Sequence, residues 1–417
     1  MSGELVVQKY GGSSVADAAR LFNVARRIVE TYDRGHPVCA VVSARGDTTD
    51  DLVRQALQVS PQPAQRELDV LLSAGEGISC SLLAMAVNRL GRKAVSLTGP
   101  QTGIITDSAH GRAQIVEIHT DRIRAALDEG KIALVAGFQG VSRDADVTTL
   151  GRGGSDTTAV ALASALQASV CEIYTDVDGV YTANPSVVLR ARRISEITYE
   201  EMIELTGAGA NVLATPCVEL AARTALPVHV LSSFAPGGGT WVRGSLGDVV
   251  RPEARGITYT LDEVVFELHD VGDSSVTAPF LLTLTDAGIE YDATVSQESD
   301  RSSGRLVCVV HEKDALLADE VLSREVTNRG IGRLASSLSM SRVSVIGSGI
   351  ANDEGLISAI TKAFGDVARG PLWRASSGLR ASGLVPRTRA EQTVAQLHEH
   401  LGLDEPHSEV TEEQGRP

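Results

Sequence analysis

Hydrophobic and polar positions follow two alternating patterns over residues 1–245. Short apolar runs typical of buried strands alternate with stretches in which apolar residues recur every three or four positions, as on a helix face. The strand-like runs are Leu5–Gln8, Val38–Val42, Ala94–Leu97, Ile132–Ala136, Val170–Tyr174 and Val228–Leu231. The helix-like stretches are Ala16–Thr31, Arg66–Arg89, Arg112–Asp128, Thr157–Ala168 and Tyr199–Leu205. This alternation predicts an α/β fold, with a mostly parallel sheet sandwiched by helices and ligands at the carboxyl ends of its strands.

The pattern changes after a loop rich in Gly and Pro, Ala235–Gly239, and Gly244–Arg255 is predicted to be a linker. Shorter elements follow. The predicted strands are Glu263–Leu268, Glu290–Ser296, Arg305–Val310 and Arg342–Ile346, and the predicted helices are Ala278–Ala287, Lys313–Asn328 and Gly355–Phe364. We therefore expect one large domain over residues 1–250, two small α+β modules over 258–338 and 339–404, and a flexible tail over 405–417.

Composition narrows the classes of protein. The net charge of −15 argues against a broad basic surface for nucleic acids. The five cysteines are widely spaced without metal-ligand spacing, which favours buried thiols in a reducing cytoplasm. The chain begins without a signal-like segment, and no apolar run approaches the ~20 residues of a membrane span. The sequence thus predicts a cytoplasmic protein that binds neither nucleic acid nor membrane.

A first glycine loop follows the first strand, in the order Lys9-Tyr10-Gly11-Gly12-Ser13-Ser14. Glycines between a strand and a helix let backbone N–H groups approach a phosphate, and the helix N-terminus favours negative charge. Lys9 adds a positive charge beside them. A simple tight turn with a serine helix cap would explain the same residues.

A second glycine loop covers Thr148–Thr158 and precedes a clear helix. It combines Gly151, Gly153 and Gly154 with one cation, Arg152, and one carboxylate, Asp156. A helix capped by Ser155 or Asp156 is the simpler interpretation, but three glycines and an arginine exceed what a cap needs. Neither loop ends in the Gly-Lys-Ser/Thr of a Walker A motif.

A third segment, Tyr174–Pro185, follows a strand and contains Asp176 and Asp178. It is either an acidic surface turn or a loop at the edge of a nucleotide site. Two glycine pairs, Gly207/Gly209 and Gly347/Gly349, resemble the dinucleotide fingerprint, but both lack its third glycine. A dinucleotide site is therefore not expected.

Together these loops resemble the aspartate kinases of the amino-acid kinase fold. The resemblance covers nearly all of residues 4–245 and includes Ser43–Asp50, Leu72–Glu76 and Val135–Gly140. The C-terminal third resembles, more loosely, the paired ACT domains of actinobacterial-type members. The resemblance implies transfer of the γ-phosphoryl group of ATP to the β-carboxylate of L-aspartate. A carboxylate with a pKa near ~3.9 is already ionised, so it needs orientation and charge screening rather than a strong base.

The resemblance also implies roles for individual residues. Lys9 and Asp156 would be catalytic, with Lys9 on the transferring phosphoryl group. Arg152 would bind the α-carboxylate of aspartate and Glu76 its α-ammonium. The same pocket would be lined by Ser43, Thr49, Phe138 and Ser155. ATP would contact Lys9, Gly11, Gly12, Ser13, Gly154, Thr175, Asp176, Asp178 and Tyr181. Mg²⁺ would neutralise the phosphates, with no protein ligands assigned to it.

Three departures from the family lie near the expected ATP site. Gly77 stands where the family usually has an arginine, and Asn211 stands where it has a lysine. The family's Asp-Pro-Arg is Asn184-Pro185-Ser186 in this chain, so an aspartate and an arginine are replaced there. A hydrogen bond to a charged group contributes roughly 1.5–3 kcal/mol, so losing two such contacts would weaken ATP binding by roughly 10²-fold. Compensation elsewhere, by Arg190, Arg192 or Arg193, is the alternative.

The C-terminal modules depart further. The turn Asp270–Ser275 lacks the usual Pro-Gly, the polar strand is Asp292–Gln297, and Arg374–Arg380 places Gly378 where a strand residue is usual. We therefore expect altered or absent feedback inhibition by lysine and threonine. Such an enzyme would serve a specialised pathway derived from aspartate.

Two other functions stay open. The chain is either a working kinase or a weakly active paralogue that binds amino acids or acts as a regulatory subunit. A third possibility is a different acceptor, against which Arg152 and Glu76 argue because they match an α-amino acid. In each case we expect a symmetric homodimer or higher homo-oligomer through the ACT modules, and an amino-acid effector.

Overall fold

The computed structural model describes residues 3–244, 252–270, 274–289, 291–297, 304–330, 332–368 and 372–405. The chain forms two compact units. The first comprises Met1–Tyr181 and Arg193–Val249, and the second comprises Thr182–Arg192 and Val250–Pro417. The chain therefore leaves the first unit at Tyr181 and returns to it at Arg193, inside what the sequence suggested as one domain.

The first unit contains twelve strands and eight α-helices among its described residues. The strands are β1 (Val6–Tyr10), β2 (Val38–Val42), β3 (Ala94–Leu97), β4 (Ile104–Thr106), β5 (Ile115–Ile118), β6 (Ile132–Ala136), β7 (Gln139–Ser142), β8 (Val147–Thr149), β9 (Val170–Thr175), β10 (Glu196–Ile197), β11 (Val228–Ser232) and β12 (Thr240–Val242). The helices are α1 (Ala18–Asp33), α2 (Thr48–Val59), α3 (Gln65–Arg89), α4 (Gly99–Thr102), α5 (Asp121–Asp128), α6 (Gly154–Leu166), α7 (Tyr199–Gly207) and α8 (Thr215–Thr224).

The central sheet of this unit has eight strands in the order β10-β12-β11-β9-β1-β2-β6-β3. Its strands are parallel except for the antiparallel β11–β12 pair. The six strands predicted from apolar runs all belong to it, with boundaries within two residues. The predicted α/β fold with a mostly parallel sheet is confirmed.

Helices cover both faces of the sheet. Val38, Ala40 and Val42 of β2 belong to a core shared with α1 and α3. On the other face, Val41 lies beside Gly137, and α6 packs against β1, β2 and α8. All five residues of β2 are buried, as expected for a strand covered on both sides.

A second sheet of the first unit, ordered β5-β4-β7-β8, was not predicted. The prediction of one helix over Arg112–Asp128 is wrong, because β5 occupies Ile115–Ile118 and only α5, Asp121–Asp128, is helical. Ile115, Ile118 and Ile123 have helix-like spacing, and β5 is a half-exposed edge strand without a clear alternating pattern. This small sheet matters for the site because β8 ends where the second glycine loop begins.

One helix conflicts with the expectation that no segment could cross a membrane. By length and apolar composition α3 is long enough to do so, yet half of its most apolar window is buried inside the protein. It also carries two buried acids, Asp69 and Glu76. These features are those of a core helix packed on a sheet.

The second unit is built on one antiparallel sheet in the order β14-β15-β13-β16-β18-β17. Its strands are β13 (Glu253–His269), β14 (Tyr291–Gln297), β15 (Gly304–His311), β16 (Arg333–Ser348), β17 (Trp373–Arg374) and β18 (Arg380–Pro386). Its helices are α9 (Ser274–Asp286), α10 (Ala315–Arg329), α11 (Glu354–Phe364) and α12 (Ala390–His400). The linker predicted over Gly244–Arg255 is partly wrong because β13 begins at Glu253, while residues 245–251 lie outside the description.

Three hydrophobic clusters lie within the described part of this unit, and two of them join helices to the sheet, which gives the unit its predicted α+β character. One involves α9 and α10 with β13 and β15, and the other involves α11 and α12 with β13, β16 and β18. Ala183 and Val188 of the Thr182–Arg192 excursion join the second core. The expected division at residues 338–339 falls within β16. The turn residues 271–273 and the tail 406–417 lie outside the described residues.

Candidate active site

The first glycine loop lies at the carboxyl end of β1, between the ends of β2 and β9. The Gly11 amide donates to the Tyr174 carbonyl at 3.3 Å. A Cβ atom at Gly12 would stand 2.7 Å from the Ala44 carbonyl oxygen, so a larger residue would displace backbone. The glycines therefore allow a close approach of neighbouring loops at the edge where ligands bind in parallel sheets.

Lys9 and Asp156 form the charged centre of this edge. The Lys9 ammonium lies 2.6 Å from Asp156 Oδ1, and the two side chains are 11% and 12% exposed. The contact is close but is not aligned as a hydrogen bond to that oxygen. Lys9 is the fourth residue of β1 and Asp156 lies in the first turn of α6, so two separate sequence motifs meet here as the resemblance implied.

The second glycine loop is tightly enclosed. Gly153 has φ +69°, and a Cβ there would stand 2.2 Å from the Ala214 Cβ. A Cβ at Gly154 would stand 2.9 Å from the Phe138 ring. Gly153 is the N-cap of α6 and no side chain caps the helix, so Ser155 and Asp156 are not there to cap it. The simpler interpretation of this loop is thus excluded, and a helix N-terminus beside Lys9 favours an anion.

Phe138 is a strained residue beside this loop. It has φ +68°, in the left-handed region that bulky residues rarely adopt. Its amide donates to the Thr158 hydroxyl at 3.1 Å, and its carbonyl accepts from the Leu150 amide at 2.9 Å. The neighbouring Gly137 lies against Ser155, whose Oγ would be 2.7 Å from an added Cβ. Strain held by surrounding contacts is typical of ligand sites.

Glu76 is a buried acid without a full set of partners. The side chain lies on α3 and is 3% exposed. Its Oε1 accepts from the Ala44 amide at 3.2 Å, while Oε2 has no hydrogen-bond partner among the described residues. Burial raises the pKa of Glu76 to about 7. An unpartnered buried carboxylate is costly, so the site is ready to receive a cation or an ammonium group.

Arg152 provides the opposite charge. The side chain is exposed on the second glycine loop and has no hydrogen bond or ion pair with any other described residue. Ser43 follows β2, and its amide donates to the Tyr10 carbonyl at 3.1 Å. Thr49 lies half-buried in the first turn of α2. The residues predicted for the substrate thus come from loops and helices at the carboxyl edge of the sheet.

The predicted nucleotide loop follows β9. The Thr175 hydroxyl donates to Asp176 at 3.1 Å, and the Tyr181 hydroxyl donates to Asp178 at 2.8 Å. Arg193 approaches the other Asp178 oxygen at 3.4 Å. Thr175, at the end of β9, also accepts from the Ser233 amide at 2.8 Å, which places the loop beside the end of β11.

The three residues that replace the family's cations lie at exposed or open positions. A Cβ at Gly77 would meet no atom within 4 Å, and Asn211 is exposed. Ser186 belongs to the Thr182–Arg192 excursion, and its hydroxyl donates to Asn184 at 2.6 Å. None of these positions holds a cation.

The three arginines proposed as compensation lie in different units. Arg190 pairs with Asp404 at 3.3 Å, and Arg192 donates to the Leu403 carbonyl at 3.1 Å, both within the second unit. Arg193 belongs to the first unit, beside the nucleotide loop. Of the three, Arg193 is the one that contacts Asp178 of this loop.

The described residues offer no ready protein site for a metal. No group of three or more His, Cys, Asp or Glu residues among them could hold an ion. Mg²⁺ binds readily through substrate phosphates and one or two carboxylates. The observed donor set fits an ion that arrives with its nucleotide.

Sequence reasoning overlooked one buried acid, Asp69. It lies on α3 seven positions before Glu76 and is 1% exposed. The seven-residue spacing on a helix is visible in the sequence and would have placed both acids on one face. The five cysteines, by contrast, are buried free thiols, as predicted.

Comparison with known proteins identifies the class of this fold and site. The model of the amino acid kinase family matches residues 4–232, more than half of the chain. The chain therefore belongs to the amino acid kinase family.

Its relatives within that family are aspartokinases. The chain is 45% identical to the aspartokinase of Mycolicibacterium smegmatis, over 96% of each protein. It is 41% identical to that of Corynebacterium glutamicum, again over 96% of each. The structure of Escherichia coli aspartokinase III with aspartate and ADP has a TM-score of 0.81 and 25% identity, covering 96% of this chain and 100% of the other. The chain thus belongs with the aspartokinases, which confirms the resemblance found in its motifs.

Proposed function

We propose that this protein transfers the γ-phosphoryl group of ATP to the β-carboxylate of L-aspartate, giving β-aspartyl phosphate. The observation that carries the proposal is the buried Glu76, whose Oε2 has no hydrogen-bond partner among the described residues, together with Arg152, which pairs with none of them. Opposite charges of this kind match the α-ammonium and α-carboxylate of one amino acid. The E. coli neighbour was solved with aspartate and ADP, which supports both substrates.

Lys9 and Asp156 provide the proposed chemistry. Lys9 would neutralise charge on the transferring phosphoryl group, and Asp156, at 2.6 Å, holds the ammonium in place. Backbone N–H groups of Gly11, Gly12 and Gly154 would approach the phosphates, because glycine has no side chain of its own to keep a ligand away. Mg²⁺ bound with ATP would neutralise further phosphate charge. The attacking carboxylate is already ionised, so the site needs no general base.

Nucleotide recognition is proposed at the loop after β9. Thr175, Asp176, Asp178 and Tyr181 would contact ATP, as would Ser13 of the first glycine loop. Arg193 is the cation that lies beside them. Ser43, Thr49, Phe138 and Ser155 would complete the aspartate pocket. Their positions at the carboxyl edge of the sheet support these roles.

The second unit is proposed to be a pair of ACT-like modules with weakened or altered response to lysine and threonine. Asp292 lies on the polar strand that would meet an effector, but Arg342 contacts it and Arg380 lies 3.5 Å away. An acid already paired with arginines attracts an effector's ammonium less strongly. Gly378 lies in a turn with φ +77°, before β18 begins. A lysine-bound state is known for the E. coli neighbour.

Assembly and location complete the proposal. The described sheet of the second unit ends in β14 on one side and β17 on the other. Sheet edges such as these support pairing of two copies into a symmetric homodimer or a higher homo-oligomer. We also propose a cytoplasmic enzyme serving a specialised aspartate-derived pathway.

Trapping the product as its hydroxamate tests the catalytic proposal. Incubation with aspartate and Mg-ATP should give aspartyl hydroxamate, and lysine plus threonine should suppress it weakly or not at all. Strong suppression at low effector concentration would refute the altered regulation. A folded protein that forms no product would favour the second candidate, a subunit that binds amino acids, which the missing cations at Gly77, Ser186 and Asn211 support.

A further inference from the structure

Asp69 is a buried acid that the proposed chemistry does not use. Its side chain lies near the start of α3 and is 1% exposed. Glu76 follows two turns later, so the two carboxylates lie on the same face of the helix. A buried carboxylate is tolerated only where donors surround it.

Donors from two other segments surround the Asp69 carboxylate. The Thr149 hydroxyl donates to Oδ1 at 2.6 Å. His110 Nδ1 lies 2.7 Å from Oδ2, and the Gly111 amide lies 3.1 Å from both oxygens. The carboxylate therefore joins α3 to the loop at residues 109–113 and to the last residue of β8.

These two segments support the loop that carries Arg152. Thr149 ends β8, and Arg152 follows three positions later. The Thr149 carbonyl accepts from the Ala113 amide at 2.9 Å. Gly151 has φ +76° and lies against Gly111, whose carbonyl oxygen would be 3.2 Å from an added Cβ. The two segments that Asp69 holds therefore pack against the loop that carries Arg152.

We infer that Asp69, with His110 and Thr149, is a positioning group that sets the spacing between Arg152 and Glu76. The inference rests on the proposed function, in which these two side chains hold the α-carboxylate and α-ammonium of one amino acid. The α-carboxylate and the α-ammonium are attached to the same carbon atom of the amino acid, so the distance between Arg152 and Glu76 can change only a little. A misplacement of about 1 Å can cost roughly 10²-fold in rate.

Substitutions at Thr149 test the inference with little disturbance of the fold. Thr149→Val removes the hydroxyl donor and keeps the shape, whereas Thr149→Ser keeps the donor. We expect Thr149→Val to raise the KM for aspartate about tenfold, with Thr149→Ser within about twofold of wild type. The KM for ATP should stay unchanged in both. A Thr149→Val enzyme with a wild-type KM for aspartate would overturn the inference.

Asp69→Asn is the stronger variant, because it removes the charge and one acceptor oxygen at almost constant volume. We expect the KM for aspartate to rise by about 10- to 100-fold, with little change for ATP. Asp146→Asn is the matched control, since Asp146 precedes β8 but pairs with Arg66 at the surface, at 2.7 Å. Equal effects of the two variants would overturn the inference, because the loss would then reflect charge alone.

Hydrogen–deuterium exchange distinguishes failure of this inference from failure of the proposed function. Residues 149–154 should exchange faster in Asp69→Asn than in wild type. If wild type formed no aspartyl phosphate, the proposed function would fail, yet faster exchange would still support the positioning role. Unchanged exchange would overturn the positioning role, and a lower Tm with both KM values unmoved would show that Asp69 only stabilises the fold.

Discussion

The proposed aspartate-binding side and the nucleotide-binding side of the first unit differ in their charged residues. On the proposed aspartate side, Glu76 Oε2 and the Arg152 side chain have no partner among the described residues, and Lys9 pairs with Asp156. The nucleotide side has Gly77 and Asn211 where the family resemblance leads one to expect cations, and a third such position, Ser186, belongs to the second unit. The residues proposed for acceptor recognition and phosphoryl transfer are thus all present, while fewer cations are available to the proposed ATP site. The contrast predicts an enzyme that is selective for its acceptor but binds ATP weakly.

The largest expected effect lies where the two sides meet. Lys9→Met removes the ammonium beside the transferring group and leaves Asp156 buried and unpaired. We expect kcat to fall by about 10³-fold or more, because charge stabilisation during phosphoryl transfer is lost. Hydroxamate formation measures the loss, and circular dichroism checks the fold. A kcat within about tenfold of wild type would remove Lys9 from the catalytic role.

The next effect tests the aspartate side. Glu76→Gln should raise the KM for aspartate by about 10²-fold, because the ammonium loses its counter-charge. The pKa of Glu76 is raised to about 7, so in wild type kcat/KM for aspartate should rise with pH up to that value and then level off. This rise should be absent in Glu76→Gln.

The free energy of unfolding gives an independent test of the Glu76→Gln substitution. Because the folded-state pKa of Glu76 lies above its ordinary value of 4.5, wild type should lose stability as pH rises from about 4.5 to about 7. Glu76→Gln should avoid that loss, so at pH 8 its free energy of unfolding should exceed that of wild type by about 1–3 kcal/mol and its Tm should be higher. A lower Tm for the variant would contradict the interpretation of Glu76 as an uncompensated buried charge.

A smaller effect should appear when the nucleotide side is restored. The double variant Gly77→Arg/Asn211→Lys adds two of the three missing cations, at open or exposed positions of the first unit. We expect the KM for ATP to fall by about 10- to 100-fold while the KM for aspartate is unchanged. Steady-state kinetics with each substrate varied separately measures both. An unchanged KM for ATP would mean that the missing cations are compensated within this chain.

The smallest expected effect tests whether Arg193 compensates for the missing cations. Arg193→Met removes the arginine that lies 3.4 Å from Asp178. We expect the KM for ATP to rise about three- to tenfold, because this partly exposed ion pair contributes little on its own. Arg190→Met is the matched control, since Arg190 pairs with Asp404 in the second unit. Equal KM values for the two variants would exclude Arg193 from nucleotide binding.

Local patterns were sufficient for part of this picture. The apolar runs located the six main strands, and two glycine loops located Lys9 and Asp156, although neither loop was decisive alone. The contact between them depends on strand order, which brings β1 beside β9 only after folding. The left-handed Phe138 and the unpartnered Glu76 oxygen depend on neighbours distant in sequence. The small sheet around β5 was missed because its short edge strand has helix-like spacing.

The Thr182–Arg192 excursion has a practical consequence for dividing this chain into expressible pieces. Residues 1–250 expressed alone would carry an eleven-residue segment whose Ala183 and Val188 belong to another core. Residues 252–405 alone would lack those two apolar side chains. A cut at the linker therefore damages both halves. The N-terminal half keeps an apolar segment without its packing partners, and the C-terminal half has a cavity where that segment would pack. A clean excision of the first unit requires replacing Thr182–Arg192 with a short turn joining Tyr181 to Arg193, two residues already paired as an antiparallel bridge.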